Sequence, residues 1–515
     1  MSLTLAGLTA GAAEPPQTNA MNFPDQLQSW HQEARAAEAP QTKAVSLDDC
    51  IQNALRKNLD LQIARYNPPI AALNLQGAYA GYDPVFSVGG QHDFSLSGGG
   101  LDPTSHLPTP ASKTDANSFN SSVVNGLLPW GGLTYNLQGS VSEAYGSTGG
   151  IPTDQSRGSA SIGLTQPLLK NFWIDQTRLN IRVAKNRVKY SELGLRQSIM
   201  NTATSVEQAY YDLIFDREFV KVQEKAVELA TQLVTENKKR VEVGALAPLD
   251  EKQAEAQAAS SQAALIAARN SLAMQENLMK QLFSDNFSHW EAIELEPTAT
   301  LAAPIQVFNR QNSWNHGLTQ RPDFLQAKLD LERQGITLKF NYNQLFPELD
   351  LLGSYGHNAG GAREFNDAFY QLREGSQPSY YYGAQLTFPL GNTGARATYK
   401  ISKLTLEQLK LTLKKIEQTI MITIDNDINQ SQSSYEQVAA TRAAREYAEE
   451  ALAAEQKKLE NGKSTTYTVL QMQRDLTTAR GNEIQALAAY NKALAQLSLD
   501  EATTLERLRI DVEVK

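Results

Sequence analysis

One cysteine, Cys50, stands among 515 residues, which excludes an intrachain disulfide and any cysteine zinc cluster. No stretch approaches the roughly 20 consecutive apolar residues of a membrane-spanning helix. Basic residues are in deficit, 47 Lys and Arg against 56 Asp and Glu, for a net charge of -9. Clustered cations are what draw a protein to phosphate, so nucleic acid is not expected as a partner. The six histidines, His31, His92, His106, His289, His316 and His357, fall without ligand spacing. Neither His-Glu-x-x-His nor Gly-x-Ser-x-Gly occurs. Gly462-Lys463-Ser464-Thr465 carries the end of a phosphate-loop signature, but Lys457 stands where the earlier glycine belongs, and the segment before it reads as helix. The sequence therefore points to no catalytic, cofactor-binding or metal-ligating residue and to no enzyme.

At 41% hydrophobic and 20% charged, the chain has the composition of a folded protein. Residues 1–13 are small and apolar and end in Ala10-Gly11-Ala12-Ala13, like the core and cleavage site of a secretory signal without its basic start. Residues 1–20 are read as that signal and 21–45 as a linker. An exported chain without a membrane helix is left with a soluble fate or a β-barrel. Cys50, in Ser46-Leu47-Asp48-Asp49-Cys50, reads as a small buried residue in the first turn of a helix.

The chain repeats itself. Asn58-Leu59-Asp60-Leu61 resembles Arg321-Pro322-Asp323-Phe324, and Pro84 resembles Pro347 at the same offset. Leu164-Thr165-Gln166-Pro167-Leu168 resembles Leu386-Thr387-Phe388-Pro389-Leu390. Lys239-Arg240-Val241-Glu242-Val243-Gly244 resembles Lys457-Lys458-Leu459-Glu460-Asn461-Gly462. Four landmarks in one order imply a tandem duplication: a first repeat over 46–283, a linker over 284–320, a second repeat over 321–504 and a tail over 505–515. Each repeat reads helix, strands, long helix, glycine break, long helix. The long helices are expected over 175–242 and 248–283, then 395–460 and 466–504, with tips at Gly244 and Gly462.

None of these long segments has an internal proline. Ile199, Val206, Leu213, Val220, Val227, Val234 and Val241 lie seven apart, which specifies a left-handed coiled coil. The strand regions, about 84–166 and 347–389, have period two. Phe86 and Val88 alternate with Ser87 and Gly89, Ile162 and Leu164 with Ser161 and Gly163, Leu386 and Phe388 with Gln385 and Thr387. Such alternation fits a transmembrane barrel with a wet lumen, and equally a soluble sandwich that buries its apolar face.

Coiled-coil hairpins interleaved with such strands, and duplicated, resemble the TolC-type outer-membrane efflux and secretion channels over about residues 46–499. The pieces are Ser46-Leu47-Asp48-Asp49 with Ala54-Leu55 and Asn58, the strand ends Gln166-Pro167-Leu168 and Phe388-Pro389-Leu390, and the two glycine turns. After Gly244 come Leu246, Pro248, Leu249 and Asp250; after Gly462 come Ser464, Thr468, Val469 and Leu470.

The resemblance implies a mixed α and β membrane protein, in which a tunnel of long antiparallel coiled coils meets a transmembrane β-barrel that trimerisation completes. In the family each protomer supplies four strands, so three close 12. It implies an outer-membrane location with a long periplasmic extension. The expected function is the exit duct of a tripartite efflux pump or type I secretion system, served by a periplasmic adaptor and an inner-membrane transporter. Phe86, Val88, Ile162, Leu164, Leu386 and Phe388 are then expected to face lipid, and Gly244, Leu246, Asp250, Gly462, Ser464, Thr468 and Gln471 to form adaptor-docking and gating tips. Two departures stand out. Residues 118–145, around Pro129-Trp130-Gly131-Gly132, read as an additional hairpin that could extend the barrel, pack outside or form a loop. Thr468 and Gln471 are not acidic where the family often is, which puts an acidic gate in doubt. Asp425, Asp427, Glu449, Glu450 and Glu455 read as solvated helix faces. The alternative function, a periplasmic coiled-coil adaptor or spacer, predicts one hairpin flanked by soluble β domains.

Overall fold

The computed structural model describes residues 41–148, 151–244 and 246–510. The expected signal segment and most of the linker after it lie outside them. The helices are α1 (Leu47–Lys57), α2 (Leu59–Arg65), α3 (Asn67–Tyr79), α4 (Gln176–Glu242), α5 (Pro248–Phe283), α6 (Arg310–Gln320), α7 (Pro322–Asn343), α8 (Phe365–Glu374), α9 (Thr393–Glu460), α10 (Thr466–Asp500) and α11 (Thr504–Arg507). The strands are β1 (Gln41–Val45), β2 (Val85–Ser97), β3 (Gly100–Leu101), β4 (Pro108–Thr109), β5 (Ser112–Leu127), β6 (Thr134–Thr148), β7 (Ile151–Pro167), β8 (Ile293–Pro297), β9 (Glu348–Ala362) and β10 (Pro378–Thr387).

The duplicated landmarks take equivalent places. Asn58 caps α2, its side chain accepting the Leu61 amide at 3.0 Å, while Arg321 precedes α7 with Pro322 in the first turn. Leu61 and Phe324, equivalent in the two motifs, are both buried. Ser46 starts α1 by accepting the Asp49 amide at 3.1 Å. Cys50 is buried in that helix, and burial pushes its thiol up to about 12.

With no proline and a continuous heptad, α4 runs unbroken for 67 residues and α9 for 68, each roughly 100 Å at about 1.5 Å per residue. Each folds back at its tip, α4 onto α5 and α9 onto α10. The seven-spaced residues from Ile199 to Val220 are buried, but Val227, Val234 and Val241 are only half-buried; Ala230, Leu233 and Asn237 take over the seam toward the tip. A helix with 3.6 residues per turn drifts about 20° per heptad against a strict seven-residue repeat, which moves the seam this way. At the waist Tyr210, Leu213, Met279, Phe283, Trp290 and Leu295 form one core, and the Tyr210 hydroxyl donates to the Val45 carbonyl at 3.1 Å. There β1 pairs in parallel with β8.

The large sheet has six strands in the order β10-β9-β7-β6-β5-β2, all neighbours antiparallel. This corrects the four strands that the family resemblance implied. The additional hairpin is β5 and β6, longer than its expected 118–145, and it is inserted between β2 and β7 rather than packed outside. Of the three places the sequence left open for it, the hairpin takes the first and extends the sheet, although β5 carries only Phe119 and Val123 as large apolar residues on the face it shares with Phe86. At its inner end, Gly131 and Gly132 hold φ of 57° and 77°, and the Leu133 amide donates to the Trp130 carbonyl at 3.0 Å. Two successive positive φ angles favour glycine at both places.

Candidate functional site

Three regions can act on a cargo or partner: the sheet, the hairpin tips and the waist. In the sheet, direct partners share a face. One row across all six strands reads Phe86, Val123, Leu137, Ile162, Tyr355, Tyr380. The next row, on the other face, reads Ser87, Ser122, Gln138, Ser161, Gly356, Ser379. The sheet is thus apolar on one side and small and polar on the other, with Ser87 and Ser122 hydroxyls 2.8 Å apart on the polar side. Phe86, Val88, Ile162, Leu164 and Leu386 lie on the apolar face and are exposed. Phe388 is also exposed but lies one residue past the end of β10. Against the outer part of this face packs α8, through Ala368 and Leu372 on Val141 and Ala359. The Gly, Ser and Asn of residues 357–379 suit an exposed loop, but Phe365–Glu374 form this helix instead.

At the first tip Gly244 holds φ at 77°, and its amide donates to the Val241 carbonyl at 2.9 Å. Leu246 and Asp250 are half-buried there, and the Asp250 carbonyl accepts from the buried Asn237 amide group at 3.3 Å. At the second tip Gly462 holds φ at 71°, the Gly462 amide donates to Leu459 at 3.1 Å and the Lys463 amide to Lys458 at 2.8 Å. That pair of bonds is a Schellman cap, so the apparent phosphate-loop fragment is a helix end. Thr465 then caps α10, its hydroxyl accepting the Thr468 amide at 3.3 Å. Ser464 donates to Glu455 at 2.5 Å, and Gln471 donates to Asp475 at 3.0 Å. Leu246 and Ser464 are therefore less open than a docking residue should be. The open apolar groups are others: Val243 is 78% exposed, Leu249 67% and Tyr467 64%. Sequence pattern alone does not separate them from packed residues.

The carboxylates of the second hairpin are not simply solvated. Glu449 accepts from Arg445 at 2.9 Å and from Arg480 at 2.7 Å, and the Arg480 bond leads in holding it below its ordinary pKa. Asp425 faces Arg310 at 3.1 Å. Asp427 is half-buried beside Asp500, which itself accepts from Arg321 at 2.8 Å. Burial first, then the Asp500 carboxylate, push Asp427 up from 3.8 to about 7, against the pull of Arg321. Its unfolded-state carboxyl ionises near pH 4 and the folded one near pH 7, so folding stability falls as pH rises through that window. Asp427→Asn removes this loss. Its melting temperature is expected to match the native protein below pH 4, to pull ahead from pH 4 to 7 and to keep a constant lead above; parallel curves across that window would show an ordinary carboxylate.

Among the described residues no cluster of His, Cys, Asp and Glu is placed to hold a metal, and no helix is long and apolar enough to cross a membrane.

Over residues 128–283 and 315–499 the chain matches the family described as outer membrane efflux protein. The outer membrane efflux protein BepC of Brucella suis biovar 1 (strain 1330) is 25% identical over 373 residues, 71% of this chain and 77% of that protein. The crystal structure of the Campylobacter jejuni CmeC outer membrane channel matches with a TM-score of 0.66 at 15% identity, over 90% of this chain and 88% of that one. The open-state MtrE outer membrane channel of Neisseria gonorrhoeae matches with a TM-score of 0.60 at 14% identity, over 89% of each.

Proposed function

Because the chain belongs to the outer membrane efflux protein family, we propose that it is the outer-membrane exit duct of a tripartite efflux pump, a passive conduit closed by three copies and gated at its periplasmic tips. The observation that carries this reading is the two-faced sheet continuous with two helical hairpins. Two of its strands, β7 and β10, run through short segments into α4 and α9, and β2 and β9 follow α3 and α7, so a polar sheet face continues as a helical wall. The spacer alternative required one hairpin flanked by soluble domains, and this chain has two hairpins on one sheet.

Trimerisation has support in the surface of the single chain. It exposes 32570 Å², against roughly 19,000 Å² for a compact monomer of 56.6 kDa. On α9, Leu404 and Leu411 are each 70% exposed and lie one heptad apart, a coiled-coil seam with no partner in this chain. A second copy supplies one. The adaptor and the inner-membrane transporter meet the duct at the tips, where Val243, Leu249 and Tyr467 stand beside Gly244, Leu246, Asp250, Gly462, Ser464, Thr468 and Gln471. Membrane fractionation with unheated gel electrophoresis tests the reading: an outer-membrane species running at three times the chain mass is expected, and a soluble monomer would sink it.

The apolar face, Phe86, Val88, Ile162, Leu164, Leu386 and Phe388 included, meets lipid in this reading. Leu386→Arg then costs roughly 2–4 kcal/mol near the bilayer middle. The expected result is a several-fold loss of assembled trimer in the membrane, with Gln385→Arg on the lumen face as the tolerated control. Loss of trimer from Gln385→Arg with a normal yield from Leu386→Arg would reverse the facing of the sheet, and equal yields would overturn its division into a lipid face and a lumen face.

A further inference from the structure

We infer that three copies of this chain close a barrel of 18 strands above a tunnel to which each copy gives four helices, so that the exit mouth is wider than 12 strands would make it. The inference rests on the trimeric duct proposed above and concerns its geometry.

The hairpin of β5 and β6 is not an ornament at the sheet's edge. It is the only link between β2 and the rest of the sheet, and it pairs with both neighbours along nearly its full length. Folding it away would orphan β2. With 16 and 15 residues, its strands exceed the roughly 9–11 needed to cross a bilayer at a tilt. Its apolar face carries the row onward, with Val123 and Leu137 between Phe86 and Ile162.

Insertion of a whole hairpin leaves every other strand's direction unchanged. The chain enters the sheet on β2 running away from the helices and leaves it on β10 running back. The two open edges, β2 of one copy and β10 of the next, are therefore antiparallel. Open strand edges are not tolerated in lipid, and each edge is complementary to the other edge of an identical chain.

The helices do not increase in step with the strands. β2, β7, β9 and β10 each connect through a short segment to α3, α4, α7 and α9. At the helix end of the sheet β5 and β6 connect only to each other, through the turn at residues 128–133. That turn rests on the start of α4: the Arg178 guanidinium donates to the Pro129 carbonyl at 2.8 Å, and Gln166 donates to the Gly131 carbonyl at 2.8 Å. A Cβ on Gly132 would lie 2.7 Å from the Asn171 carbonyl oxygen, so the turn is fitted to its seat. Three such turns seat 18 strands on 12 helices.

Strands about 4.8 Å apart and tilted about 40° give a barrel roughly 36 Å across for 18 strands and roughly 24 Å for 12. Electron microscopy of the purified full-length oligomer, viewed down its axis, reads this directly. The wild type is expected near the larger diameter. Deletion of residues 112–150 joins β2 to β7 through the remaining outer loop, and its trimer is expected near the smaller one. A membrane trimer with a wild-type barrel near 24 Å overturns this inference and leaves the duct reading intact. A soluble monomer overturns both. If the deletion variant does not assemble, the wild-type diameter alone decides.

Discussion

Replacing Arg507 with Ala is expected to destabilise the protein by about 2–3 kcal/mol, less than the roughly 3–5 kcal/mol of a fully buried ion pair, because Glu207 is buried but Arg507 is exposed. Glu207, on α4, is 1% exposed. Its carboxylate accepts both terminal nitrogens of the Arg507 guanidinium, one at 2.8 Å, and the Tyr211 hydroxyl at 3.2 Å. Arg507 lies on α11, so this fork ties the last of the described helices to the middle of α4. In Arg507→Ala the carboxylate stays buried with one neutral donor. A melting temperature lower by roughly 2–3 °C is expected from that loss, because the unfolding entropy of 515 residues is about 1 kcal/mol/K. Glu207→Gln combined with Arg507→Ala removes the stranded charge and should recover a good part of it, giving a coupling energy that a surface pair would not show. Additive losses in the double variant would mean that Arg507 acts by packing its chain, not by charge.

This pair lies 300 positions apart in sequence, which marks the limit of what the sequence discloses. Features with a short repeat were legible. The absence of proline and the seven-residue spacing gave two helices of nearly 70 residues, and the alternation around Phe86, Ile162 and Leu386 gave a two-faced sheet. Both glycines at the tips take the positive φ that their place after a helix suggested. Features that depend on partners far along the chain were not legible. Asp427 looks like any helix-face carboxylate until Asp500 and Arg321 are set beside it. The place of β5 and β6 is fixed by registry with β2 and β7, while their own Ser, Asn and Gly are compatible with a loop. At the tips the sequence named the turn correctly, but exposure, which decides which residue a partner can grip, follows from packing.

That distinction decides how docking is tested. Ser464→Asp would place a second carboxylate against Glu455, where a hydrogen bond of 2.5 Å now stands, and Leu246→Asp would put a charge on a half-buried position. A loss of transport in either could come from a distorted turn. Val243, Leu249 and Tyr467 are cleaner probes, because the side chain of each is well exposed, and Val243, which caps α4, does so through its backbone amide alone. Exposed aliphatic and aromatic side chains at the far end of a duct are what an adaptor's hydrophobic contact needs, and a residue at the centre of such a contact contributes about 2 kcal/mol or more, roughly 30-fold in affinity. Val243→Asp, Leu249→Asp and Tyr467→Asp are therefore expected to leave trimer yield and melting temperature unchanged. Export measured with the cognate adaptor should fall at least tenfold in the triple variant, while Gly244 and Gly462 remain untouched. The sharpest contrary result would be full export by the triple variant with adaptor crosslinks mapping to residues 285–304. The adaptor would then grip the duct at its waist, and the tips would serve only to reverse the chain and close the entrance.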